Sequence, residues 1–216
     1  MKQLIFARHG ESHANLLNVF ANHEPSPPLT DRGREQATAL AHRLAGRTTI
    51  GIYTSPLLRA VQTAHIVGDA LGAPVVVSDA LREFDVGCYE GSGEPAHWRE
   101  YDEVLLAWLA RGEGDRRVGG GENLHEIRAR FRSLVDELTT GLTTREGTTV
   151  LVGHGGLYRC TLPAVLANVT PRWTLAHPLA NTETVTTRPH RGRLVAVAWG
   201  DLAVDPSDVL DEPADP

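Results

Sequence analysis

Arg8-His9-Gly10-Glu11 follows directly on an apolar run, Leu4-Ile5-Phe6-Ala7. A strand ending this way carries a fixed cation and an imidazole at its tip. The glycine beside them lets the backbone turn and lets a ligand come close. Such a tip suits an oxyanion, and the imidazole nitrogen is a candidate nucleophile. Two further segments repeat the theme. Residues 50–54 run into Ser55-Pro56-Leu57-Leu58-Arg59, and residues 148–152 run into Gly153-His154-Gly155-Gly156. Guanidinium groups grip phosphate oxygens bidentately and stay charged. Helix N-termini expected at 10–12 and 155–157 would add backbone N–H donors. Each piece is common alone. Joined at three strand ends, Arg8, His9, Arg59 and His154 read as a phosphoryl clamp with no metal in it. Breaking a phosphate ester also needs a proton for the leaving oxygen. Glu83, Asp85 and Glu90 bring carboxylates to the same rim. Composition does not separate the three, and Glu83 is the preferred choice.

The elements that must carry these residues show in the periodicity. Residues 3–7 read as a buried strand. Ala37, Leu40, Ala41 and Leu44 form a helical stripe over 31–44, with Thr30 as N-cap and Gly46 as stop. A second strand spans 50–54, and Ser55-Pro56 reads as the start of a helix ending at Gly72. A third strand covers 74–77. Residues 88–121 read as an irregular insertion over the sheet edge, partly helical at 99–110, holding Tyr89, Trp98, Tyr101 and Trp108. Asn123 and Glu126 resemble a capping box for the next helix. The helix after His154 contains Pro163, which predicts a kink or a late start. Residues 183–187 and 193–199 read as late edge or antiparallel strands. The expected architecture is a three-layer α/β/α domain with a mostly parallel central sheet. It spans residues 1–204, has a small inserted cap at about 88–121, and precedes an acidic, proline-rich tail at 205–216. In such sheets the site lies at the carboxyl ends of the strands.

The bulk properties exclude several classes. A chain of 216 residues, 41% hydrophobic and 22% charged, is long enough for one domain with a real core. Its net charge of −6 argues against nucleic-acid or anionic-membrane binding, so an anion site would be a local positive pocket. Cys88 and Cys160 offer neither a disulfide framework nor metal-ligand spacing, and both are expected to be small buried hydrophobes. No stretch is long enough to span a bilayer. The expectation is a cytoplasmic protein without metal or cofactor.

Arg8-His9-Gly10-Glu11-Ser12, with Asn15 after it, resembles the signature of the histidine phosphatase superfamily, also called the phosphoglycerate mutase-like family. Leu29-Thr30-Asp31-Arg32-Gly33 is similar to its next block, and Thr54-Ser55-Pro56-Leu57-Leu58-Arg59-Ala60 to its second arginine block. Leu81, Glu83, Gly87, Glu90 and Gly91 match its acid-bearing loop. Gly120-Gly121-Glu122 resembles a further block, although asparagine stands at 123 where serine is usual. Val152-Gly153-His154-Gly155-Gly156 with Arg159, and Asn181-Thr182, complete the likeness over residues 2 to about 200.

The resemblance implies that His9 attacks phosphorus and becomes phosphohistidine. Arg8, Arg59 and His154 would hold the phosphoryl oxygens, with Asn15 and Ser12 donating further hydrogen bonds. Glu83 would protonate the leaving oxygen and later deprotonate water, while Glu11 would orient a site cation. His23 is a candidate for the pocket wall, and Trp98 and Tyr101 for either cap packing or leaving-group contact. The partner would be a small phosphorylated molecule. The alternatives are a phosphoglycerate mutase, a phosphohistidine-protein phosphatase and an inactive scaffold. The stretches 16–23 and 94–101 do not match the mutase blocks, the insertion has few basic residues to hold a carboxylate, and the reactive set is intact. A phosphatase is therefore the preferred expectation.

Overall fold

The computed structural model describes residues 2–140 and 146–208, so most of the expected tail, 209–216, lies outside the described residues. The apolar N-terminal run is β1 (Lys2–Arg8). The other strands are β2 (Thr49–Thr54), β3 (Val75–Val77), β4 (Gly147–Gly153), β5 (Thr184–His190), β6 (Arg193–Trp199) and β7 (Leu202–Ala203). They form one sheet in the order β3-β2-β4-β1-β5-β6-β7. The first four in that order are parallel, and the rest join antiparallel. The sheet is therefore mixed. Parallel neighbours need crossovers, and helices supply them. These are α1 (His13–Leu17), α2 (Asp31–Leu44), α3 (Leu58–Leu71), α4 (Pro95–Ala110) and α5 (Leu124–Thr140), followed after β4 by α6 (Gly155–Val165) and α7 (Pro171–Ala176).

Strand alternation divides the interior into two cores. Ile5, Ala7, Ile52, Val150 and Val152 face α2 and α3, where Leu40, Leu44, Ala60, Ala64 and Val67 meet them. Leu4, Phe6, Leu151 and Val185 point the other way and pack with Phe84, Trp108, Phe131 and Tyr158. The insertion is part of this second core. Pro95 starts α4 four residues earlier than expected, and Val104, Leu105 and Trp108 are buried.

Local chemistry accounts for most helix ends. Thr30 Oγ1 accepts from Gly33 N at 3.0 Å. Asn123 and Glu126 exchange hydrogen bonds of 2.9 and 3.0 Å as a capping box. Three expectations need correction. The helix after β2 starts at Leu58, and the Ser55 hydroxyl accepts from Leu57 N rather than capping the first turn. The helix after β4 starts directly at Gly155 and runs through Pro163. The Arg159 carbonyl that this proline cannot reach accepts instead from Thr174 Oγ1 at 2.9 Å. Of the two cysteines only Cys160 is buried, and Cys88 is exposed. Among the described residues no helix is long and apolar enough to cross a membrane.

Candidate active site

Register builds the site. Arg8 pairs with Gly153 and Thr54 with Val152. The residues just beyond, His9, His154 and Ser55, therefore emerge side by side at the carboxyl ends of β1, β4 and β2. The turn after β1 is held by close backbone contact. A side chain at Gly10 would collide with the Gly33 carbonyl, and one at Gly33 would collide with the Glu11 carbonyl. Gly10 N also donates to Thr63 Oγ1 at 3.1 Å.

A cavity of about 280 Å³ opens beside these strand ends, and its wall includes Arg8, His9, Asn15, Arg59 and Glu83, while His154 and Ser55 are fully buried and are not part of that wall. His9 is almost fully buried. Its Nδ1 lies 2.6 Å from the Gly10 carbonyl, and its Nε2 lies 3.1 Å from Arg59 Nε. A carbonyl only accepts and a guanidinium only donates, so the proton sits on Nδ1 and the lone pair on Nε2. Burial, then Arg59 and Arg8, push the His9 pKa well below its usual value. The imidazole is neutral at neutral pH.

Arg59 also donates to the Ala21 carbonyl at 2.6 Å. Burial lowers its pKa to about 10, which leaves it charged at neutral pH. Arg8 donates to the Leu179 carbonyl at 2.7 Å, while its Nε is buried without a partner. The His154 ring lies 5.0 Å from that of His9. Its Nε2 is 2.8 Å from Ser55 Oγ, and its Nδ1 is buried without a partner. Burial and Arg59 keep His154 neutral as well. When Ser55 donates to Nε2, Nδ1 carries a proton with no acceptor. Orphaned buried donors are costly, and here they belong to two residues of one clamp.

Glu83 is the one of the three candidate carboxylates in the cavity wall. Its oxygens accept from Phe84 N at 3.1 Å and from Gly156 N, in the first turn of α6, at 2.9 Å. Burial raises its pKa, against the lowering by those amides and by Arg59. Asp85 is used by Gly87 N and His23, and Glu90 by the backbone of Asn22 and His23. Both hold loops together.

Asn15 accepts from Ser12 N at 3.0 Å and from Ser12 Oγ at 3.2 Å. Its amide nitrogen is left over in the cavity wall. Ser12 itself is fully buried and outside that wall, and its hydroxyl donates to Asn15. His23 also falls outside it, half exposed and 3.1 Å from Asp85. Glu11 orients no site cation. It accepts from Thr30 Oγ1 at 2.8 Å and lies 3.7 Å from Arg32. The helix N-terminus expected after β1 is present, with Ser12 as N-cap of α1, but its first amides are taken: Ser12 N donates to Asn15 Oδ1 at 3.0 Å and His13 N to the Pro28 carbonyl at 3.1 Å.

Some of the wall was not foreseen. Asn22, Asp102, Leu179 and Arg159 line it too. Arg159 stood in a matching motif, but nothing in the sequence gave it a role. Asn22 and Leu179 arrive through long-range contacts that leave no local pattern. Trp98 stacks on Phe20 at 3.9 Å, and Tyr101 on Phe84 at 5.4 Å, so both aromatics pack while also facing the cavity. A larger groove of about 590 Å³ lies at the far end of α6, around Ala164 and Leu166, and holds none of these groups. Among the described residues no three His, Cys, Asp or Glu side chains gather as a metal centre would need.

Comparison with known proteins bears on this geometry. A family model for the histidine phosphatase superfamily, branch 1, matches residues 4–202. A glucosyl-3-phosphoglycerate phosphatase of Mycolicibacterium vanbaalenii is 31% identical over 195 residues, covering 88% of this chain and 85% of that protein. A protein of Enterobacter sp. strain 638 named probable phosphoglycerate mutase GpmB is 31% identical, covering 77% of this chain and 75% of its own. The solved structure of a mycobacterial glucosyl-3-phosphoglycerate phosphatase with VO3 superposes with a TM-score of 0.79 at 29% identity. It covers 93% of this chain and 99% of the other.

Proposed function

This chain belongs to the histidine phosphatase superfamily, and from that premise we propose that it hydrolyses a small phosphate monoester through phosphohistidine on His9. The observation that carries the reading is the state of His9: a neutral imidazole, its lone pair on Nε2, facing a cavity ringed by cationic and unpartnered donors. The incoming phosphoryl group takes its oxygens to Arg8, Arg59, His154 Nδ1 and the Asn15 amide. Arg59 Nε finds a stronger acceptor there and releases the His9 lone pair. Nε2 attacks phosphorus, and the bond to the leaving oxygen breaks as that oxygen takes the Glu83 proton. The Glu83 carboxylate then removes a proton from water, which attacks the phosphohistidine and frees inorganic phosphate and His9. Positioning and charge supply most of the catalysis in phosphoryl transfer. The two-step route replaces one difficult displacement with two easier ones.

Hydrolysis is favoured over a mutase reaction by how the insertion spends three of its four arginines. Arg111 and Arg116 pair with Glu103 and Glu113, and Arg117 with Glu126. A cytoplasmic location accords with an exposed free thiol at Cys88. The test is turnover of p-nitrophenyl phosphate. Wild type should be active and indifferent to chelator, since arginines supply the charge a metal would bring, and His9→Ala should be inactive yet folded. Activity lost with chelator and restored by magnesium would refute the reading.

A further inference from the structure

Glu90 takes no part in the cavity wall, whereas Ala21 and Asn22 do. Both Glu90 carboxylate oxygens accept from Asn22 N at 3.0 Å, and Oε1 also accepts from His23 N at 3.2 Å. Asn22 N belongs to the same peptide group as the Ala21 carbonyl, which accepts from Arg59 Nη1 at 2.6 Å. A trans peptide group is planar, and its N–H and C=O point in opposite directions. One rigid plate therefore has a carboxylate at one edge and a guanidinium at the other. Both of its hydrogen bonds involve a charged group and belong to the strong class. Bonds in such a chain polarise one another, so the carboxylate on the N–H makes the carbonyl a better acceptor. The far side of the guanidinium meets His9, with Arg59 Nε 3.1 Å from His9 Nε2. That bond must open for His9 to attack, and the Ala21 carbonyl is the anchor of Arg59 that stays.

The carboxylate is itself held in register. Phe20 N donates to the Ser92 carbonyl at 2.9 Å, and Gly91 N to the Phe20 carbonyl at 3.0 Å, so the chain on either side of the plate is tied to the chain beside Glu90. The same loop reaches the acid. Asn22 Nδ2 donates to the Phe84 carbonyl at 2.8 Å, and Phe84 N donates to Glu83 Oε1 at 3.1 Å. The negative charge of Glu90 also acts with that of Glu83 to keep Arg59 protonated against its burial. We propose that Glu90 is a positioning residue for the phosphoryl clamp, acting on Arg59 through the peptide group that joins Ala21 to Asn22. This rests on reading Arg59 as a phosphoryl ligand of the phosphatase site. Lying outside the wall, Glu90 serves the placement of charge and does not itself supply the proton for the leaving oxygen.

A double-mutant cycle tests the coupling, read in single-turnover bursts with p-nitrophenyl phosphate and glycerol 3-phosphate. Wild-type hydrolysis that disappears in His9→Ala tests the phosphatase reading separately. Glu90→Ala should slow both esters by about 10- to 100-fold, the scale of a misplacement of about 1 Å, and leave the ratio of the two near wild type. In an Arg59→Met background the same substitution should cost at most about twofold, because no guanidinium remains to be placed. Glu90→Gln keeps the shape and can take both amides on one oxygen, so it repeats the cycle should the alanine variant fold poorly. It should cost about threefold to tenfold with Arg59 present, the difference between a charged and a neutral acceptor, and nothing measurable without it. Orthovanadate affinity, measured by calorimetry on the same proteins, should follow the same pattern without turnover. Equal losses with and without Arg59 would reduce Glu90 to a structural residue and overturn the proposal. A loss confined to glycerol 3-phosphate would overturn it too, by making Glu90 an acid.

Discussion

His9 and Glu83 respond in opposite directions to the same enclosure. Burial disfavours charge, so it lowers the imidazole pKa and raises that of the carboxyl. Both groups are thereby drawn to the neutral form that the first step needs, a free lone pair on one and an available proton on the other. Because the Glu83 pKa is raised, protonated Glu83 persists to higher pH than an ordinary glutamate would. Activity on alkyl phosphates should hold at acid pH and fall as pH rises through that raised value. The acid limb set by His9 should lie below the usual histidine range. Glu83→Gln should cost alkyl esters roughly 10²–10⁴-fold, the usual worth of acid–base catalysis. A p-nitrophenyl ester needs little protonation, so its single-turnover burst should slow far less. Equal burst losses for both ester types, measured by stopped flow, would take the acid role away from Glu83.

The proposed nucleophile, His9, is held by a turn, and the turn by two glycines. Gly10 and Gly33 join the loop after β1 to the start of α2 at a separation that no side chain tolerates. Gly33→Ala would push against the Glu11 backbone, where no flexible side chain can yield. Overpacking of this kind costs about 1–3 kcal/mol. A displacement of about 1 Å at the reacting atoms can cost 10²-fold in rate. Gly33→Ala should therefore lower both the thermal midpoint and kcat. Gly51→Ala, on β2 with nothing within 4 Å of the added carbon, should leave kcat near wild type. Equal effects of the two substitutions on kcat would contradict this account of the turn. The elements themselves were largely legible, because apolar spacing and caps are local signals. Thr30, Asn123 and Glu126 cap where their residue types indicate. What periodicity cannot carry is adjacency. That β4 lies between β1 and β2, which brings His154 beside His9, follows from sheet order. Ser12 and His23 were read into the pocket for their closeness to the motif in sequence. Tertiary partners, Asn15 and Asp85, account for where their side chains go. Trp108 looked like part of an irregular insertion because its helix buries only one face, against a core assembled from distant segments.

The protein carries a net charge of −6, yet Arg8, Arg59 and Arg159 converge on one cavity at the strand ends. Such a concave positive site in a net negative protein concentrates small anions. The rigid sheet beneath it fixes strand ends, and the helices on either face keep water from reaching the core side of the clamp. The proposed mechanism turns on one covalent event, which can be observed directly. Rapid quench of the wild-type enzyme with a phosphate-labelled ester, followed by peptide mapping, should find acid-labile, base-stable phosphate on His9 that forms and decays at rates compatible with turnover. Label on a serine, label on His154, or no covalent label while turnover survives in His9→Ala would contradict it.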